Sequence, residues 1–197
     1  MTLKTHVTTG LPLGLVISGL YANYMANNID EFDMIVSLDN KQFVFRALCI
    51  IVGIVAGATY PDLDHNDSAL YVMGESTEWE ENLGGRGNIV HTIFPNAIGV
   101  MIPFLLLASI ADKMDLARLG INLDWLVLLG VAMAFGIVWH LIGGDLFTPE
   151  GVMLFFPFSK YRVKIPIVKT YSYERIFRWS VSAVLLFLSI KIWDPLL

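Results

Sequence analysis

The sequence predicts an all-α integral membrane protein, with about five transmembrane helices and a short extended ribbon on the membrane surface before the last of them. Three observations lead there. The 197-residue chain is 55% hydrophobic with a mean hydropathy of +0.62, whereas a soluble domain is about half apolar and its polar face pulls the hydropathy down. The apolar residues gather in five blocks separated by polar loops. Lysine and arginine crowd the loops that would lie on one side of a bilayer.

The five blocks follow in order. The first is about Leu11 to Ala26, the second about Phe43 to Thr59, and the third about Ile89 to Ala111. The fourth is about Trp125 to Gly144 and the fifth about Ile176 to Trp193. A span needs roughly 20 mostly apolar residues. The third and fourth meet this easily, the second and fifth are marginal, and the first is short enough to leave four spans as the fallback. Between the fourth and fifth, FPFSKYRVKIPIVKTYSYER alternates apolar residues with basic ones and carries prolines, which reads as a ribbon lying on the membrane. Length and the absence of an internal repeat give a single membrane domain over 1–197.

Charge sets the orientation. With five spans and a cytoplasmic N-terminus, the inside holds Lys4, Arg86, Lys160, Arg162, Lys164, Lys169, Arg175 and Arg178. The outside holds Lys41, Lys113, Arg118 and Lys191. This bias favours the orientation with the N-terminus in the cytoplasm. The net charge of −5 and the lack of a basic tail argue against a nucleic-acid partner. Membrane lipid is the expected partner, and the basic ribbon suits anionic headgroups. The lone Cys49 excludes an intrachain disulfide framework. The opening MTLKTHVTTG reads as a mature start rather than a signal peptide.

Polar residues converge in this topology. His6 precedes the first span, Asp62, Asp64 and His65 follow the second, His91 opens the third, and His140 with Asp145 ends the fourth. All fall on the cytoplasmic face. Imidazole and carboxylate are the ligands of zinc, manganese or iron where cysteine is absent. An aspartate at mid-membrane costs roughly 2.5–3.5 kcal/mol on insertion scales, and such groups tend to be paired and functional. A bland reading stands beside this one. Asp62, Asp64 and Asp67 also fit a solvated helix-end cluster with Pro61 stopping the span, and a single histidine in an apolar helix is more often a packing residue than a ligand. The convergence of four histidines and several acids on one face favours the metal site.

Four stretches, KTHVTTGLPLGL, YPDLDHNDS, GRGNIVHT and WHLIGGDLFTPEGVMLFFPF, resemble the motifs of the LexA-regulated, membrane-bound metal-dependent hydrolases, the YdjM-like family. The resemblance runs in the same order from His6 to about Pro157. It implies metal ligation by His6, Asp62, Asp64, His65, His91, His140 and Asp145, with one or two divalent ions, zinc first and manganese or iron as alternatives. The family's motif layout is similar to that of zinc-dependent phospholipase C and related nucleases, which implies hydrolysis of a lipid-like or nucleotide-like phosphoester. Arg86, as a phosphoryl clamp, and Asp64 are the catalytic candidates. Two departures stand out. Gly85 occupies the place of a family histidine in the Gly85-Arg86-Gly87 stretch, and Asp145 lies five residues after His140 rather than four. Five residues turn an α-helix by about 500°, well off the starting face, but the Gly143-Gly144 pair allows a π-bulge that would return Asp145 to the site. Two other classes remain open: a membrane protein with a structural metal, and a subunit of a membrane complex.

Overall fold

The computed structural model describes residues 3–28, 41–61, 93–113, 124–149, 151–155, 158–159 and 161–194. They form five long helices: α1 (Leu3–Asn28), α2 (Lys41–Thr59), α3 (Ile93–Lys113), α4 (Asp124–Trp139) and α5 (Tyr171–Trp193). A π-helical turn (His140–Gly144) and a short 3-10 turn (Asp145–Phe147) continue α4. The expected ribbon is less regular than a hairpin. Among the described residues it makes one isolated antiparallel bridge, Val152 to Val163, because its prolines and the turn at Gly151 (φ 65°) interrupt the ladder.

Contacts between helices fix their directions. Gly10 on α1 faces Ala58 and Val55 on α2, and Gly14 faces Ile51, so these two helices are antiparallel. The α1 residues Thr5, Thr8 and Asn23 bond Glu174, Ser182 and Ile192 in turn, so α1 and α5 are parallel. Gly53 on α2 meets Ala132 on α4, and Ala58 meets His140, so these are parallel. Phe104 on α3 packs on Gly130, while Val100 packs against the cluster of Ile137 and Leu141, so α3 opposes α4. Successive helices therefore run in alternating directions. The starts of α1, α3 and α5 share one end of the bundle with the ends of α2 and α4.

Small residues make the central contacts. A Cβ at Gly57 would strike the Met133 carbonyl oxygen, and one at Gly136 would strike that of Ile54. Gly53-x-x-x-Gly57 on α2 thus lies backbone to backbone against Ala132-x-x-x-Gly136 on α4, the small-residue spacing by which apolar helices approach closely. One core cluster, Leu13, Ile50, Ile54 and Ala132, joins α1, α2 and α4. Outward, Leu106, Ile110, Ile176, Phe187 and Ile190 are each more than half exposed, a surface suited to lipid.

Two stretches are long and apolar enough to cross a membrane, Trp125–Phe147 and Ser172–Trp193, and Val44–Thr59 and Asn96–Ile110 are shorter apolar helices. The expectation of about five spans therefore meets this measure in two helices among the described residues. Polar Thr5, His6, Thr8, Thr9 and Asn23 lower the hydropathy of α1. Pro12 lies inside it and supplies no N–H to the Thr8 carbonyl four residues back, and the Ser182 hydroxyl of α5 donates to that carbonyl at 3.0 Å instead.

Substitution of alanine for Gly57 should destabilise the protein by about 1–3 kcal/mol through overpacking against backbone. The same change at Gly99, which has open space around it, should be neutral or stabilise by up to about 1 kcal/mol. Thermal unfolding of both variants in detergent checks this.

Candidate metal centre

The end of the bundle where α1 begins and α2 and α4 finish carries a cluster of three buried ionisable groups among the described residues. His6 is on the first turns of α1, and His140 and Asp145 bracket the π turn after α4. They are 1%, 0% and 3% exposed. The π turn is what brings the last two together. The Asp145 N–H donates to the carbonyl of His140, five residues back, so Asp145 returns over His140 where a regular helix would carry it away. Asp145 Oδ2 then lies 3.1 Å from His140 Nε2, and Oδ1 lies 3.9 Å from His6 Nε2. The two imidazoles stack with centroids 3.7 Å apart and planes at 23°.

Glycine makes room for this stack. A Cβ at Gly144 would strike Cε1 of His6 and come within 3.1 Å of its Nδ1, so the His6 ring lies directly on the Gly144 backbone. The neighbouring Gly143 accommodates the Trp139 indole in the same way, at 2.8 Å. Below the turn, the Thr148 hydroxyl and N–H both donate to the Asp145 carbonyl, at 2.7 and 3.0 Å. The ribbon straps the turn from the other side, through Ile165 N–H to the Leu146 carbonyl and Val168 N–H to that of Phe147.

The tautomer of His140 follows from its partners. Its Nδ1 is 2.7 Å from the Ala58 carbonyl at the end of α2. A carbonyl only accepts, so Nδ1 carries a proton. In the neutral ring Nε2 then presents a lone pair toward the Asp145 carboxylate. Two acceptors at 3.1 Å require a proton or a metal ion between or beside them. Binding one ring nitrogen to a backbone carbonyl while the other faces a cation is the usual orientation of a ligating histidine.

The ligand atoms of His6, His140 and Asp145 all lie within 4.8 Å of one another, a group able to hold a metal ion. Around zinc, with bonds of roughly 2.0–2.2 Å in a tetrahedron, ligand atoms stand about 3.4 Å apart. The 3.1 and 3.9 Å separations bracket that figure. The donor set, two imidazoles and a carboxylate, suits zinc, manganese or iron.

A family profile described as YdjM inner membrane protein matches residues 1–195. The chain belongs to the YdjM inner membrane protein family. No curated protein and no solved structure matches it. Membership in this inner-membrane family agrees with the two apolar helices and the lipid-suited outer surface.

Three of the seven residues expected as metal ligands, His6, His140 and Asp145, are brought together. Asp62, Asp64, His65 and His91, and the catalytic candidate Arg86, lie outside the described residues. Sequence reasoning passed over the Ala58 carbonyl, the packing of His6 on Gly144, and Glu174. This acid is 8% exposed in the first turn of α5 and accepts the Thr5 hydroxyl. An acid placed four residues after a capping threonine, at the head of an apolar helix, was the available signal for it.

A Gly144→Ala variant should displace the His6 ring, lowering stability by about 1–3 kcal/mol and divalent-metal retention by about tenfold or more. Gly99→Ala, which meets open space, should change neither. Thermal unfolding paired with metal titration separates the two.

Proposed function

We propose that this YdjM-family protein is a membrane-bound, metal-dependent hydrolase that acts on a phosphoester at the cytoplasmic face of the inner membrane. In this reading its five helices cross the bilayer, and the alternation of their directions supports that. The buried group of His6, His140 and Asp145, with His140 oriented by the Ala58 carbonyl, is the observation that carries the reading.

His6 and His140 would hold a divalent ion, zinc first, through Nε2, with Asp145 neutralising it. In sequence, Asp62 follows Pro61 at the end of α2 and His91 stands two residues before α3. Both these helix ends lie at the same end of the bundle, which supports Asp62, Asp64, His65 and His91 as ligands of the same ion or of a second one. When bound, the ion supplies Lewis acidity toward water and a phosphoryl oxygen. Ala58 and Asp145 keep the imidazoles from turning away. Asp64 would accept a proton, and Arg86 would clamp the phosphoryl group with its planar guanidinium. The basic residues of the ribbon would face anionic headgroups.

A structural metal is the second reading, and the near-complete burial of all three groups favours it. Structural sites are closed, whereas catalytic ones keep an open position. Elemental mass spectrometry of the detergent-purified protein, beside His140→Ala and Asp145→Ala, should find one or two zinc, manganese or iron ions per chain that both variants lose. The wild type should also cleave a chromogenic phosphodiester, and the metal-depleted protein should not. Metal without turnover on any phosphoester tested would leave the structural role. A folded wild type that stays empty after incubation with these ions would remove both.

A further inference from the structure

Glu174 is a buried carboxylate that the proposed chemistry does not use. It stands in the first turn of α5, 8% exposed, and accepts a hydrogen bond from the hydroxyl of Thr5 on α1. Thr5 is 1% exposed and immediately precedes His6 in sequence. Two further bonds pin the same two turns of α1. The Ser182 hydroxyl of α5 donates to the Thr8 carbonyl at 3.0 Å, and the Trp139 indole of α4 donates to the Thr9 hydroxyl at 3.2 Å. Thr9 in turn donates to the Thr5 carbonyl at 2.9 Å. The backbone that carries His6 is therefore held from α5 on one side and from α4 on the other.

We infer that Glu174 is a positioning residue for His6: through Thr5 it sets the rotation of the start of α1, and thereby the placement of the His6 ring over Gly144 and against His140. An ionised acid is the stronger acceptor for such a bond, and a buried one is retained where its partner is fixed. The alignment matters because the tolerance at His6 is small. Its ring lies close on the Gly144 backbone and stacks on the His140 imidazole, and a rotation of α1 would disturb both contacts. The function assigned to Glu174 rests on the metal-centre reading above, but the positioning itself does not require a metal.

The test uses the full-length protein in detergent, with two readouts. The first is hydrogen exchange at the imidazole C2 position, followed by mass spectrometry in the metal-free protein. The second is affinity for Zn(II), with the visible spectrum of the Co(II) form. Thr5→Val, which removes the hydroxyl at nearly constant shape, should speed exchange at His6 severalfold while leaving His140 unchanged. It should also weaken Zn(II) about tenfold, within the 10–100-fold range of second-sphere changes, and shift the Co(II) bands. Glu174→Leu should do the same. Thr5→Ser, which restores the donor, should return both readouts to wild type. In the His6 exchange readout the Thr5→Val/Glu174→Leu double variant should be no worse than the more affected single one, since each removes the Thr5–Glu174 bond.

Unchanged His6 exchange in Thr5→Val and Glu174→Leu would overturn the inference, as would additive effects on that exchange in the double variant. A wild type that binds no metal yet shows the expected His6 exchange pattern would retain the positioning role and remove the metal reading. A wild type that binds metal with identical affinity and Co(II) spectrum in all variants would retain the metal reading and remove the role of Glu174.

Discussion

Two imidazole nitrogens face one carboxylate in a place water does not reach, and much of the surrounding structure exists to make that tolerable. A bare aspartate in such an environment would carry a desolvation cost of several kcal/mol. A positive charge must accompany it, and among the described residues the His6 and His140 rings stand nearest, protonated or holding an ion between them. The Ala58 carbonyl removes one degree of freedom by fixing the proton on His140 Nδ1. The Thr148 bonds fix the Asp145 backbone. What remains adjustable is the identity of the cation, and that is the property a metal centre needs.

Helix packing at close range is the condition for this geometry. His140 reaches the Ala58 carbonyl because Gly57 and Gly136 bring α2 and α4 into backbone contact. His6 reaches His140 because Gly10 and Gly14 let α1 settle on α2, and because Gly144 offers no side chain. Larger residues at these positions would part the helices by the width of a methyl group or more, and a hydrogen bond of 2.7 Å has no slack for that. The small-residue stripes and the polar site are in this sense one feature: the first sets the distances at which the second can form.

Much of the fold was legible in the sequence because apolar blocks and turn residues are local signals. The five helices fall where the five blocks predicted, with α2 and α5 extended by a few residues and α1 begun eight residues earlier, at Leu3. Hydropathy could not see that early start because Thr5, His6, Thr8 and Thr9 read as loop until their partners on α4 and α5 are known. His6, His140 and Asp145 were legible as candidates, and the glycine pair signalled the π turn that unites the latter two. The stacking of the rings, the choice of Ala58 as His140's partner and the Thr5–Glu174 bond were not, since each depends on which helices touch. Glu174 was further masked by its neighbours: amid six basic residues, one acid looks like a solvated counter-charge.

The hydropathy of α1 also bears on how such a helix lies in a bilayer. A scale that sums residues treats each threonine, serine and asparagine as if its polar group faced lipid. In α1 they do not. Thr9 and Ser18 donate back to carbonyls of their own helix, and Asn23 donates both to Gly19 and across to Ile192 of α5. Trp193 of α5 donates to the Leu15 carbonyl, and Ser182 takes up the carbonyl that Pro12 orphans. Each polar group that is satisfied inside the bundle ceases to oppose an apolar environment. The appropriate measure for α1 is therefore the face it leaves outward, where Val7, Leu11 and Leu20 are exposed. By that measure α1 is a helix whose polar groups are largely taken up within the bundle, and its first turn is where the candidate site begins.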